Sequence, residues 1–292
     1  MDPARIPCRC CGESFVKDYL ILTKPRISTF VALTAAVGYR LAGGTDWTVL
    51  FWTLLGTTLA SASSGVLNQY LERDADGLMN RTKNRPLPAG RLKPGEALLF
   101  GIACGAWGLA LLAMFVNALA AILAAATITL YIAFYTPLKR VTPQSTWFGA
   151  VSGAIPPMIG WAAATGELGL GAWLLFGIQL LWQIPHFMAL FWIYREDYAR
   201  AGFKFAPVLD PEGGSTRIQI AIHSFSLLIA SMLPTYFGVS GLTYGYGALI
   251  ISSAFLLVGL RASWTLTERD TRRLFYASLA YLPAVFTLIL VV

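Results

Sequence analysis

The chain has 292 residues, 56% of them hydrophobic and only 13% charged, with a mean hydropathy of +0.61. Soluble domains carry about 25% charged residues, so this composition excludes an ordinary soluble protein and predicts a polytopic membrane protein. The formal charge of +7 is less informative than its distribution along the chain, and no nucleic-acid partner is expected.

The N-terminal stretch MDPARIPCRCCGESF has an early acid and no apolar run of the kind a signal peptide needs. Cys8 and Cys11 form a C-x-x-C pair beside Cys10, but no second pair and no nearby His follows. They read as reduced thiols on a flexible cytoplasmic tail over residues 1–20. Residues 21–292 read as one transmembrane domain. A helix crossing a bilayer needs about 20 apolar residues. Nine segments qualify: 27–43, 48–70, 96–115, 118–135, 145–164, 171–192, 217–238, 242–260 and 274–292. Cys104, inside the third, reads as helix packing. Pro156–Pro157 and Pro185 predict kinks in the fifth and sixth, where freed backbone groups are tolerated if they line a cavity.

With the N-terminus in the cytoplasm, every Lys and Arg of the 22 except Arg40 falls in the N-terminal tail or in an even-numbered loop. The positive-inside rule therefore predicts a cytoplasmic N-terminus. The ends of spans 2, 4, 6 and 8 then gather the polar residues at the cytoplasmic face.

Acids contribute little to topology, so the stretch NQYLERDADG at the end of span 2 needs another account. Asn68, Glu72 and Asp76 are spaced by four, which puts them on one helical stripe about 12 Å long. Asp74 points elsewhere. Two readings stand side by side. The carboxylates pair with nearby bases as a structural network, or they bind a hard cation such as Mg²⁺, which takes one or two carboxylates and fills its shell with water and phosphate oxygens. Lys83, Arg85 and Arg91 suit phosphates directly. Span 6 ends on Glu196, Asp197, Tyr198, Arg200 and Lys204, and span 4 on Tyr135, Lys139 and Arg140. These three ends are expected to converge on one cytoplasm-facing cavity, which favours the metal–phosphate reading.

The strings NQYLERDADGLMNRTKNRPLPAGRL, YTPLKRVTPQSTWFGAVSGAIPPMIGWAAATG and WQIPHFMALFWIYREDYARAGF resemble the protoheme IX farnesyltransferases, a branch of the UbiA superfamily of intramembrane prenyltransferases. The resemblance runs from about Lys24 to Val292. It implies an all-α fold of nine transmembrane helices around a central cavity. It also implies Mg²⁺-dependent transfer of farnesyl from farnesyl diphosphate to a vinyl group of haem B, giving haem O. The family's first motif, N-x-x-x-D-x-x-x-D, is met by Asn68 and Asp76, with Glu72 in place of the middle Asp. In the second acidic motif Asp197 matches and Ala201 replaces the last acid, while FKFAPV departs from the usual continuation.

On that resemblance Asn68, Glu72, Asp76 and Asp197 are the expected metal ligands. Arg85, Lys139 and Arg140 are expected to stabilise the leaving diphosphate. Tyr135, Tyr198 and Lys204 are further substrate contacts. Tyr70, Tyr135, Trp182 and Phe187 are candidates to face the allylic cation. His186, one of two His in the chain, is an expected axial or positioning contact for haem. The resemblance also suggests a haem A synthase as partner and a bacterial inner membrane as location, no Arg- and Ser-rich presequence being evident. A transporter, a haem-binding subunit, and a prenyltransferase for a quinone precursor or a chlorophyll-type acceptor are the competing readings.

Overall fold

The computed structural model describes residues 12–291, with side chains from residue 16 onward. The Cys8, Cys10 and Cys11 cluster lies outside the described residues. Within them every regular element is helical. Helix α1 (Gly12–Leu22) turns through 51° at Thr23–Lys24 into α2 (Pro25–Leu41). The expected flexible tail over 1–20 is therefore helical from Gly12, and its Asp18 is buried against Arg91 at 3.0 Å. That charge-assisted pair tethers α1 to the loop after the next helix but one.

Helix α3 (Trp47–Leu78) is the longest element, and Asp46 caps it by accepting from the Thr48 amide at 2.7 Å. Helix α4 (Pro94–Phe115) returns antiparallel, and Asn117 caps α5 (Ala118–Thr129). The chain then passes through a π-helical turn, Leu130–Tyr135, into the short α6 (Thr136–Leu138). Helices α7 (Ser145–Ala154) and α8 (Pro156–Thr165) follow, then α9 (Leu170–Ile193). Two short helices, α10 (Arg195–Arg200) and α11 (Ala206–Leu209), lead to the long helices α12 (Gly214–Tyr236), α13 (Leu242–Thr265) and α14 (Glu268–Val291).

Among the described residues seven helices are long and apolar enough to cross a membrane, and α1–α2 makes an eighth if counted as one bent span. The expected nine is not reached. The segment 145–164 is divided at Ile155–Pro156 into α7 and α8, of ten residues each. Proline lacks the amide that would continue the ladder, and Ile155 before it keeps helical backbone angles, φ −69° and ψ −33°. Pro185, by contrast, sits within an unbroken α9.

Lipid tails give no hydrophobic drive for helix association, so close packing and buried hydrogen bonds must supply it. Gly38 and Gly160 let α2 and α8 touch backbone to backbone: a Cβ at either would drive into Pro157 O or Ala35 O. The Tyr281 hydroxyl sits between Ser231 Oγ and Ser252 Oγ at 2.7 and 2.8 Å, joining α12, α13 and α14. Trp192 Nε1 donates to Leu266 O at 2.9 Å, holding the end of α9 to the end of α13. Large apolar side chains such as Leu99, Trp107, Ile250 and Leu257 face outward, as lipid contact requires.

Candidate active site

The stripe on α3 forms as its spacing predicts. Asn68, Glu72 and Asp76 are buried, with Asp76 wholly inaccessible, while the Asp74 side chain is 84% exposed. An unpaired carboxylate at such a depth is costly, and each one has a basic partner from another part of the chain. Glu72 Oε1 meets Lys139 Nζ at 2.8 Å. Both Asp76 oxygens accept from Arg85 Nη1, at 2.9 and 2.7 Å. The loop after α3 folds back over the end of its own helix to make this pair, and Thr82 Oγ1 donates to Asp76 O at 2.8 Å to hold it there.

Asn68 is oriented by proton count. Thr136 has one hydroxyl proton and gives it to Tyr131 O at 2.8 Å. It can therefore only accept from Asn68, whose Nδ2 lies 3.1 Å away. That turns Asn68 Oδ1 toward Lys24 Nζ at 3.4 Å. The π-helical turn places Tyr131 and Tyr135 beside Lys139: the ammonium lies 4.2 Å from the Tyr135 ring centre and 5.8 Å from that of Tyr131. Burial alone would push Lys139 down, but Glu72, with Tyr135 and Tyr131, outweighs it and holds the ammonium above its ordinary value of 10.5.

Asp197, at the start of α10, accepts from the Arg81 amide at 3.2 Å and also pairs with Arg200. Arg81 Nη2 reaches the Tyr198 hydroxyl at 3.1 Å, and its guanidinium lies over the Tyr194 and Tyr198 rings. Burial raises the Tyr198 phenol above its usual 10.0 against the opposing pull of Arg81. The 79–93 loop thus joins the α3 stripe to α10.

Of the residues expected from sequence, Lys139 links Glu72 to the Tyr135 ring, Arg85 pairs with Asp76, Asn68 bonds to Thr136 and Lys24, and Arg81 joins Asp197 to Tyr198. Arg140 and Lys204 are exposed. Lys204 reaches the network only through its backbone, whose amide donates to Lys139 O at 2.7 Å. Tyr70 packs with Arg73 instead. His186 stands apart, between Trp182 and Phe275.

Sequence reasoning missed the roles of Lys24, Arg81, Thr136 and Tyr131. Lys24 was counted only as a topological charge. It has φ +50°, which is unusual for a residue with a side chain, and stands before Pro25 at the bend between α1 and α2. The Lys-Pro dipeptide marks a break, but no periodicity says that the side chain turns inward.

Among the described residues no three His, Cys, Asp or Glu side chains are close enough to hold a metal ion together. Asn68, Glu72, Asp76 and Asp197 are therefore not drawn into one cluster. The donor chemistry nonetheless suits Mg²⁺: three hard oxygen-bearing side chains share one buried face of α3, and such an ion takes only one or two carboxylates when phosphate completes its shell.

The family model for the UbiA prenyltransferase family matches residues 29–282. The chain belongs to the UbiA prenyltransferase family. Within the family it is similar to the protoheme IX farnesyltransferase of Solibacter usitatus, 42% identical over 94% of this chain and 98% of the relative. That of Salinibacter ruber is 43% identical over the same shares, 94% and 98%. The human mitochondrial protoheme IX farnesyltransferase is 42% identical over 92% of this chain and 60% of its own length. Solved UbiA folds agree in architecture. A UbiA homologue from Aeropyrum pernix superimposes with a TM-score of 0.74 at 19% identity, covering 91% of this chain and 98% of that one. A UbiA homologue from Archaeoglobus fulgidus bound to GPP and Mg²⁺ superimposes with a TM-score of 0.67 at 17% identity, covering 93% and 99%. This chain is therefore an integral membrane prenyltransferase, and the transporter reading is set aside.

Proposed function

We propose that this UbiA-family chain transfers farnesyl from farnesyl diphosphate to a vinyl group of haem B, forming haem O. The observation that carries the reading is the buried α3 stripe faced by Lys24, Lys139 and Arg85, in a chain 42% identical to a protoheme IX farnesyltransferase over 94% of its length. A quinone-type acceptor has no specific feature in its favour.

The chemistry begins with breaking the allylic C–O bond of the diphosphate. Negative charge grows on the leaving oxygens, and preorganised cations lower the barrier by meeting it. Lys139 and Arg85 are placed for this, with Lys24 and Arg81 beside them. Asn68, Glu72 and Asp76 would hold Mg²⁺, which when bound would supply Lewis-acid stabilisation of the diphosphate. The farnesyl cation is then attacked by the vinyl π-bond of the acceptor, which forms the new C–C bond. Water adds to the resulting cation and loses a proton, leaving a hydroxyethylfarnesyl side chain. Farnesyl diphosphate, haem B and water are consumed; haem O and diphosphate are produced. Tyr131 and Tyr135 give the site aromatic faces, and close helix packing keeps bulk water from the cation.

The basic loops support a cytoplasmic placement of this end of the helices, with the N-terminus inside. A bacterial inner membrane and a haem A synthase as consumer of the product belong to the same reading.

The test is to incubate the purified protein in detergent with haem B, farnesyl diphosphate and Mg²⁺, and to look for haem O by mass spectrometry. Product from the wild type, lost with EDTA and with Asp76→Ala, is the expected result. Haem that binds without being converted would overturn the reading.

A further inference from the structure

His186 lies two turns before the end of α9, outside the carboxylate network. Its ring is sandwiched between Trp182, 5.2 Å away at 23°, and Phe275, 4.9 Å away at 27°. These contacts fix the plane of the imidazole. Its protonation is fixed by Ser278. Ser278 Oγ donates its only proton to Phe275 O at 2.6 Å. The 2.8 Å contact between His186 Nδ1 and Ser278 Oγ must then be a bond that His186 donates. Ser278 is itself held, because its carbonyl accepts from Trp182 Nε1 at 2.7 Å.

A neutral imidazole with its proton on Nδ1 keeps a lone pair on Nε2. No described residue bonds to Nε2, and the side chain remains partly accessible. An imidazole whose other N–H is anchored to an oxygen is the arrangement that metal-ligating histidines adopt. The surroundings suit a flat apolar ring system. Phe187, Phe191 and Tyr198 continue as an aromatic series from His186 toward the diphosphate side, with centroids 5.9, 5.7 and 5.5 Å apart in turn. Tyr198 then meets Arg81, which holds Asp197.

We propose that His186 presents Nε2 to the iron of the haem acceptor as an axial ligand, and that Ser278 is the positioning residue that holds it in that tautomer. This rests on the reading of haem as acceptor.

The experiment is a titration of ferric haem B into the purified full-length chain in detergent, followed by absorption and electron paramagnetic resonance. The panel is wild type, His186→Ala, His186→Met, Ser278→Ala and Ser278→Thr. Wild type is expected to give a histidine-ligated spectrum. His186→Ala loses it and regains it with added imidazole, and His186→Met replaces it with a thioether-ligated one. Ser278→Ala lowers haem affinity about 10–100-fold, and Ser278→Thr, which keeps the hydroxyl, restores it. A merely structural Ser278 would change stability without changing the ligand signature. A His186→Ala or His186→Met spectrum identical to wild type overturns the proposal. If wild type makes haem O while those spectra do not change, the ligation fails and the function stands; if wild type makes no haem O, the function fails with it.

Discussion

Lys139→Met removes the ammonium that neutralises Glu72 at 2.8 Å, in a pair whose side chains are only 8% and 9% exposed. Methionine keeps most of the volume, so the change is chiefly one of charge. Removing one partner of a buried pair leaves an uncompensated charge and costs about 3–5 kcal/mol. For a chain of this size that is a fall in melting temperature of about 6–20 °C, read by tryptophan fluorescence in detergent. Glu72→Gln with Lys139→Met takes away both charges and should recover most of that loss, because a neutral pair avoids the desolvation penalty. Activity should separate from stability. Neither variant can offer the ammonium to a leaving diphosphate, and losing one such preorganised group costs about 10²–10³-fold in rate. Single-turnover formation of haem O measures this. A double variant as unstable as Lys139→Met would show that the two groups are not energetically coupled. Wild-type turnover by a folded double variant would remove Lys139 from the chemistry.

The sign of the Lys139 shift gives a second prediction. Its folded-state value stands above the ordinary 10.5, so its stabilising charge is fully present below that value and is lost only as pH rises through the higher folded one. The difference in melting temperature between wild type and Lys139→Met should therefore stay level from pH 7 to 9, and a difference that shrinks across this window would refute the assignment. Lys24 gives a third. At φ +50° glycine carries no Cβ penalty, so Lys24→Gly should melt higher than Lys24→Ala by the equivalent of about 1 kcal/mol. Both should lose affinity for farnesyl diphosphate in direct binding measurements.

The α3 stripe was legible because helical spacing is a local property: residues four apart share a face whatever surrounds them. The partners of the stripe were only partly legible. Arg85 lies nine residues from Asp76 and could be picked out by charge, but Arg81 reaches Asp197 across 116 residues, and nothing local encodes that. Lys24 looked like one more inside-loop cation because its inward turn depends on a left-handed backbone at the bend before Pro25. Thr136 and Tyr131 owe their places to the π-helical turn, which shifts the face that a purely α-helical reading would assign. The count of nine is not confirmed, because 145–164, which includes Ser145, Thr146 and Ser152, forms two ten-residue helices divided at Ile155–Pro156 rather than one long helix. Arg140 and Lys204 carry the right charge at the right end of the bundle, and their exposure follows from which way the short segments beyond the helices turn.

The charge balance of the network explains why a metal and a diphosphate should arrive together. Glu72, Asp76 and Asp197 are faced by Lys24, Arg81, Arg85, Lys139 and Arg200, which leaves the bases two charges in excess. A free divalent cation meets carboxylates already neutralised by bases, and has little to gain there. A diphosphate carries more negative charge than that excess can offset, and drawing the bases toward its oxygens releases the carboxylates. Each ligand should therefore raise the affinity for the other by the same factor, as linkage requires. Titrating Mg²⁺ calorimetrically with and without a non-hydrolysable farnesyl diphosphate analogue measures that factor, and a coupling of at least about 10-fold is expected. Arg85→Gln, which frees Asp76 beforehand, should strengthen Mg²⁺ binding in the absence of the analogue and shrink the coupling. Equal Mg²⁺ affinity with and without the analogue would mean that the bases do not guard the carboxylates, and the network would revert to a purely structural one.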